Sequence, residues 1–311
     1  MKRAEILLML VTGSVLFYGC GKEEPALNAG TGASETAKSV MAKPVSEEPA
    51  TEETVSEEAV TEESEVATEE TEPEEETPSP YSYDGEYLLF GSYEQDGDLS
   101  NGPEPIEWIV LDQNENGTLL LSRYILAAQA FDTEKKESSW EESTLRTWMN
   151  QDFYQEAFDG EQQALIRETT LKNPDNAFYM QGFEGNDTVD HVFCLGYDDI
   201  EKYFEYNVWD EANNVGHSQQ LMAEPTKYAA DNGVKTFKIT SNDYNTIYKK
   251  DGYTKDIVGM KTCYWWVRQV GSTSDSFCVA DYGGYAGWNR FYSVNYDDFG
   301  VRPAVYVDIE L

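Results

Sequence analysis

Two histidines and four cysteines are all the imidazole and thiol groups in this 311-residue chain, so a catalytic reading has few places to start. Asp190, His191 and Cys194 are close enough in sequence to suggest a thiol nucleophile with a base beside it. Residues 190–195 (DHVFCL), however, alternate like a strand, and side chains three positions apart on a strand point to opposite faces. His191 and Cys194 are therefore not expected to pair, and the segment reads as structural. No G-x-S-x-G elbow is present. Carboxylates abound, but nothing in their spacing selects a glycosidase pair. No catalytic residue is assigned.

Cys263 and Cys278 flank one hairpin-like span. Outside the cytoplasm they would close a disulfide loop contributing about 3 kcal/mol; buried free thiols are the other reading. Zinc lacks the paired C-x-x-C and His spacing it needs. In 94–105 (EQDGDLSNGPEP), Asp96, Asp98 and Ser100 imitate a calcium loop, with Glu107 at its twelfth position. The glycine required at the sixth is Asn101, and Pro103 and Pro105 oppose the helix that should follow. A hairpin loop is the expectation. No cofactor is expected, although the acidic charge would tolerate calcium.

The stretch 281–298, DYGGYAGWNRFYSVNYDD, has the Tyr, Asn, Ser, Gly and Trp content of amphipathic binding loops. Its candidate ligand-binding residues are Tyr285, Trp288, Asn289, Tyr292, Asn295 and Tyr296, with Arg268 and Arg302 supporting from adjacent strands. The alternative is a twisted hairpin whose tyrosines cover its strands. The arginines have an alternative as well, because guanidinium groups beside strand ends are commonly fixed by buried carboxylates. Trp265 and Trp266 are neighbours on an expected strand, so one should face the core and the other the opposite side, and each, as a large aromatic, is read as packing.

The elements that must position these residues are mixed. Alternation predicts strands at 86–93, 107–112 and 118–126, and again at 190–195, 262–271, 276–285, 288–297 and 301–311. Between them, 138–158 reads as short, broken helices with caps at Ser139 and Ser143, 161–172 as a second helix and 198–204 as another. Residues 206–256 read as polar and irregular. Strands enclosing a few helices give an α+β class.

PIEWIVLD (105–112), LLLSRYIL (119–126), SWEESTLRTWMNQDFYQEAF (139–158), PTKYA (225–229), YWWVR (264–268) and FGVRPAVYV (299–307) resemble, in order, the bacterial family called domain of unknown function 6273. At 269 and 270 this chain has Gln and Val where that family commonly has Ser and Pro. Its closing W-x-R strand, Gly- and Tyr-rich stretch and G-V-R-P are similar to the C-type lectin-like fold shared by formylglycine-generating enzymes and variable ligand-binding proteins. The resemblance implies a C-type lectin-like domain; a fold alone does not fix a function.

Ahead of the domain, residues 1–20 combine a basic start (Lys2, Arg3), an apolar run (6–17) too short for a comfortable span, and Gly19 before Cys20. This resembles the lipobox of bacterial lipoproteins, whose cysteine is acylated. Residues 21–80 contain no aromatic side chain and are dominated by Glu, Thr, Ser, Ala, Val and Pro. They cannot bury enough apolar area to offset ordering entropy, and are expected to form a disordered tether spanning about 40 Å as a coil. The net charge of −37 divides as about +1 in residues 1–20, −15 in 21–80 and −23 in 81–311. That acidity disfavours nucleic acid and anionic membrane surfaces as partners of the globular part, 81–311. The sequence thus predicts an exported, lipid-anchored module on the outer face of a bacterial membrane that binds an extracellular glycan or protein. A cell-envelope enzyme and a structural cell-wall interaction protein are the other classes.

Overall fold

A computed structural model of the protein describes residues 79–175, 182–204, 207–210, 215–287 and 290–311. Cys20, the signal segment and the tether up to residue 78 lie outside the described residues, as do Trp288 and Asn289.

In chain order the strands are β1 (Tyr81–Tyr83), β2 (Leu88–Tyr93), β3 (Glu104–Asn114), β4 (Gly117–Ser122), β5 (Ala127–Ala128), β6 (Thr169–Leu171), β7 (Thr188–Asp190), β8 (Val192–Phe193), β9 (Asn207–Asp210), β10 (Val215–His217), β11 (Phe237–Lys238), β12 (Lys261–Thr262), β13 (Trp265–Val270), β14 (Ser276–Ala280), β15 (Tyr285–Gly287), β16 (Phe291–Ser293), β17 (Gly300–Val301) and β18 (Ala304–Val307). The helices are α1 (Thr144–Trp148), which runs through a π turn (Met149–Phe153) into α2 (Tyr154–Ala157), then α3 (Gly160–Leu165), α4 (Tyr197–Tyr203), α5 (Lys227–Asp231) and α6 (Ser241–Asp243). The class is α+β. Among the described residues no helix is long and apolar enough to cross a membrane.

Two sheets carry the architecture. The first is antiparallel, in the order β1-β2-β3-β4-β18-β8. Its β3–β4 hairpin turns tightly, with Asn114 opposite Gly117. Gly117 has φ of 105°, and a Cβ there would sit 2.6 Å from the Val307 carbonyl oxygen, so both the turn and the approach of β18 require glycine. The second sheet has the order β16-β14-β13-β17-β5, with β17 parallel to β13. Arg302 and Pro303 alone separate β17 from β18, so the chain passes from one sheet to the other at this dipeptide. The Ser122 N–H donates to the Pro303 carbonyl at 2.9 Å, tying the crossing to the end of β4.

Trp265 and Trp266 are both fully buried, as large aromatic side chains usually are. Neighbouring strand residues do point to opposite faces, but β13 is central and covered on both. The Trp265 indole N–H donates to the Leu221 carbonyl at 3.0 Å and that of Trp266 to the Gln129 carbonyl at 2.8 Å.

The helical segment starts where expected. Ser143 Oγ accepts the Arg146 N–H at 3.1 Å, and Leu145, Met149 and Phe153, four positions apart, are buried. The candidate helix at 161–172 is shorter. Asp159 and Gln162 form a capping box, but the helix ends at Leu165. Ile166 then pairs with Val307, the Arg167 N–H donates to the Tyr306 carbonyl at 2.9 Å, and Thr169–Leu171 joins β7. Within 206–256, read as irregular, Thr226 and Thr240 cap α5 and α6.

Candidate functional site

The β16 edge and the turn after it bring aromatic rings into a row. Tyr296 stacks on Phe299 (centroids 5.4 Å, 13°) and Phe299 stacks on Tyr264 (5.0 Å, 16°). Tyr292 stands edge-on to both Phe299 (5.0 Å) and Tyr264 (5.2 Å), and its hydroxyl lies 3.3 Å from that of Tyr264. Tyr282 extends the row, edge-on to Tyr264 and stacked on Phe237 at 4.4 Å. Phe299 is buried, Tyr292, Tyr264 and Tyr282 are half-buried, and Asn295 and Tyr296 are exposed, Tyr296 at 46 %. Offset and edge-on rings reinforce one another, so the row is a firm apolar surface edged with hydroxyls.

Tyr285 belongs to a different group. It packs against Met222, Ile239, Tyr248, Tyr253 and Ile257, and its hydroxyl donates to Asp251 Oδ2 at 2.6 Å. The stretch 281–298 therefore divides: Tyr292, Asn295 and Tyr296 come together, and Tyr285 does not join them.

The two arginines differ in their surroundings. Arg268 is held on several sides: Nη1 donates to the Lys172 carbonyl at 2.7 Å and Nη2 to Asp199 Oδ2 at 3.0 Å. Gly196 lies against it, where a Cβ would come 3.0 Å from both Nη atoms. Asp199 also accepts the Gly196 N–H at 2.7 Å, so the arginine fixes the start of α4. It lines a cavity of about 430 Å³ with Asp198, Lys172 and Tyr197. This is the carboxylate-fixed alternative.

Arg302 is 1 % exposed, and among the described residues no carboxylate pairs with it. Its Nε donates to the Ser122 carbonyl at 3.0 Å, while Nη1 is buried with no hydrogen-bond partner there. It forms part of the wall of a cavity of about 520 Å³ that also meets Tyr87, Tyr124, Tyr203, Met222 and Met260. Nothing in the sequence flags this cavity, because its walls come from segments more than 200 positions apart. The second arginine there, Arg123, is neutralised by an ion pair with Glu107 and lies 4.2 Å and 4.9 Å from the ring centroids of Tyr87 and Tyr124.

The thiols and imidazoles do not converge among the described residues. His191 stacks on Tyr154 at 4.6 Å, and the Sγ of Cys194 lies 3.8 Å from the Met149 sulfur. His217 lies 5.7 Å from the Tyr285 ring. Of the two readings of Cys263 and Cys278, the structure shows the buried free thiol at Cys263. The reason is register. Trp265 pairs with Ala280, which carries Cys263 past the end of that pairing, about 13 Å along the strand from Cys278. The side chain of Cys278 lies outside the described residues.

Where the loop after β2 meets the start of β3, Glu94, Asp96 and Glu104 bring carboxylate oxygens within 4.8 Å of one another. Each also accepts a backbone N–H: Gly97 on Glu94, Asp98 on Asp96 and Gln95 on Glu104. Those bonds explain the cluster as loop structure. Glu107, the would-be twelfth ligand of a calcium loop, is bound to Arg123 instead.

Residues 115–309 match the model of a family described as domain of unknown function (DUF6273), and the chain belongs to that family. The matched region begins at the β3–β4 turn, so β1–β3 precede it and join its sheet through the pairing of β3 with β4. Comparison with curated proteins and with solved structures gives no match.

Proposed function

We propose that this member of the family is a binding module for an extracellular glycan or protein, lipid-anchored through Cys20 to the outer face of a bacterial membrane and held off it by the acidic tether of 21–80. The observation that supports this reading is the aromatic row ending in exposed Tyr296 beside Asn295. Rigid rings with two side-chain torsions lose little entropy on binding, and their hydroxyls give polar contacts at the rim. The same reading takes the fold as C-type lectin-like. It is supported by the Trp266–Arg268 strand lying beside the Gly300–Val301 strand in one sheet.

Glycan and protein arrays probed with the full chain test the proposal. A bound class whose signal drops about tenfold or more in Tyr296→Ala, with unchanged melting, is expected. An array with no specific signal, or one indifferent to Tyr296, overturns it.

A further inference from the structure

We propose that the cavity walled by Arg302 binds a small amphipathic monocarboxylate, its carboxylate pairing with the guanidinium and its apolar or aromatic body lying among Tyr124, Tyr203, Met222 and Met260. A charged group removed from water needs an opposite charge or a full set of hydrogen bonds. Arg302 has one carbonyl on Nε and, among the described residues, nothing on Nη1. The other arginine of the cavity has its carboxylate in Glu107. With no carboxylate on Arg302 among the described residues, a planar anion is the group its guanidinium would pair best.

The walls set the rest of the ligand. About 520 Å³ is the size of an ordinary small-molecule pocket, and Val110, Met222 and Met260 give it apolar sides adaptable in shape. Glu86 and Glu224 also line it, so a second negative charge, as on a phosphate monoester or a dicarboxylate, would be repelled. One charge with an apolar body is what remains. This site is separate from the aromatic row, and its failure leaves the reading of that row untouched.

The test is calorimetric titration of the full chain, in detergent-free buffer, with 3-phenylpropionate, its uncharged methyl ester, and acetate. The acid should bind at least about tenfold more tightly than the ester or acetate, a preference that Arg302→Met abolishes and Arg302→Lys partly restores. Equal binding of acid and ester, absence of binding by the acid at about 1 mM, or an undiminished preference in Arg302→Met would overturn the proposal. The acid and ester comparison uses the unaltered chain, so it decides the matter even if a variant fails to fold.

Discussion

The guanidinium carbon of Arg302 lies 5.3 Å from the ring centroid of Trp265, placing the crossing between the two sheets over an indole whose own N–H is tied to Leu221. The negative face of the ring gives the cation part of what a carboxylate would, about 2 kcal/mol when water is excluded. Burial nevertheless pushes the guanidinium down to about 10, so it remains charged at neutral pH.

That relationship separates packing from charge. Arg302→Ala should lower stability by about 3 kcal/mol, because it opens a void beneath Trp265 and strips the Ser122 carbonyl of its donor. Arg302→Met refills most of the volume and removes a buried charge that only the Trp265 ring and the Ser122 carbonyl offset among the described residues, so it should stay within about 1 kcal/mol of the parent. Urea unfolding checks both. If Met costs as much as Ala, the charge itself supports the fold.

The cysteines offer a chemical test of the β13–β14 register. Burial pushes the Cys194 thiol up to about 12 and raises that of Cys263 as well. Thiolate is the reactive form, so both should resist iodoacetamide in the native protein and react once it is unfolded without reductant. Mass spectrometry reads the outcome; a peptide pair joined through Cys263 and Cys278 would contradict the register.

Asp281 gives a pH dependence of known sign. Burial raises its carboxyl above the ordinary 3.8, opposed only in part by Arg290, at 3.2 Å, and by the N–H groups of Gly283 and Tyr285. The folded state holds this proton more tightly than the unfolded chain. Its contribution is therefore full below the unfolded value and is lost as pH rises through the raised folded one. Asp281→Asn keeps an acceptor but does not titrate. The stability of the parent relative to this variant should fall as pH rises from about 4 and then level off, as followed by chemical denaturation at a series of pH values.

The proposed anchor has a direct assay. With a lone cysteine after Gly19 at the end of the apolar run, Cys20→Ala should release the protein from membranes or leave its precursor unprocessed. Fractionation and intact mass decide; unchanged processing and unchanged membrane retention would remove lipidation from the proposal.

Much of the framework was legible because it depends on local pattern. Alternation located β3, β4 and β13, and Ser143 marked the start of α1. What escaped depends on distant partners. The helix at 161–172 stops early because Ile166 and Arg167 bond to β18, some 140 positions away. The burial of Trp265 and Trp266 was expected, but not the distant carbonyls, Leu221 and Gln129, that take their indole N–H groups. That no carboxylate among the described residues meets Arg302 could not be read at all, since it depends on how the fold places residues distant in sequence.

The same contrast between local and distant contacts shapes the last prediction. Tyr292 and Tyr296 look equivalent in sequence, both offered as ligand contacts. In the structure Tyr292 is half-buried against Tyr264 and Phe299, whereas Tyr296 is exposed and covers Phe299 from outside. Tyr292→Ala removes three edge-on contacts and a hydroxyl partner, and should cost about 2 kcal/mol of stability as well as binding. Tyr296→Ala should cost under about 1 kcal/mol of stability, yet weaken capture of an array-identified ligand by about 2 kcal/mol, as expected of a rigid aromatic anchor. Parallel melting and binding curves for the two variants separate the roles. If Tyr296→Ala binds normally, the row is not the binding surface and the proposal fails.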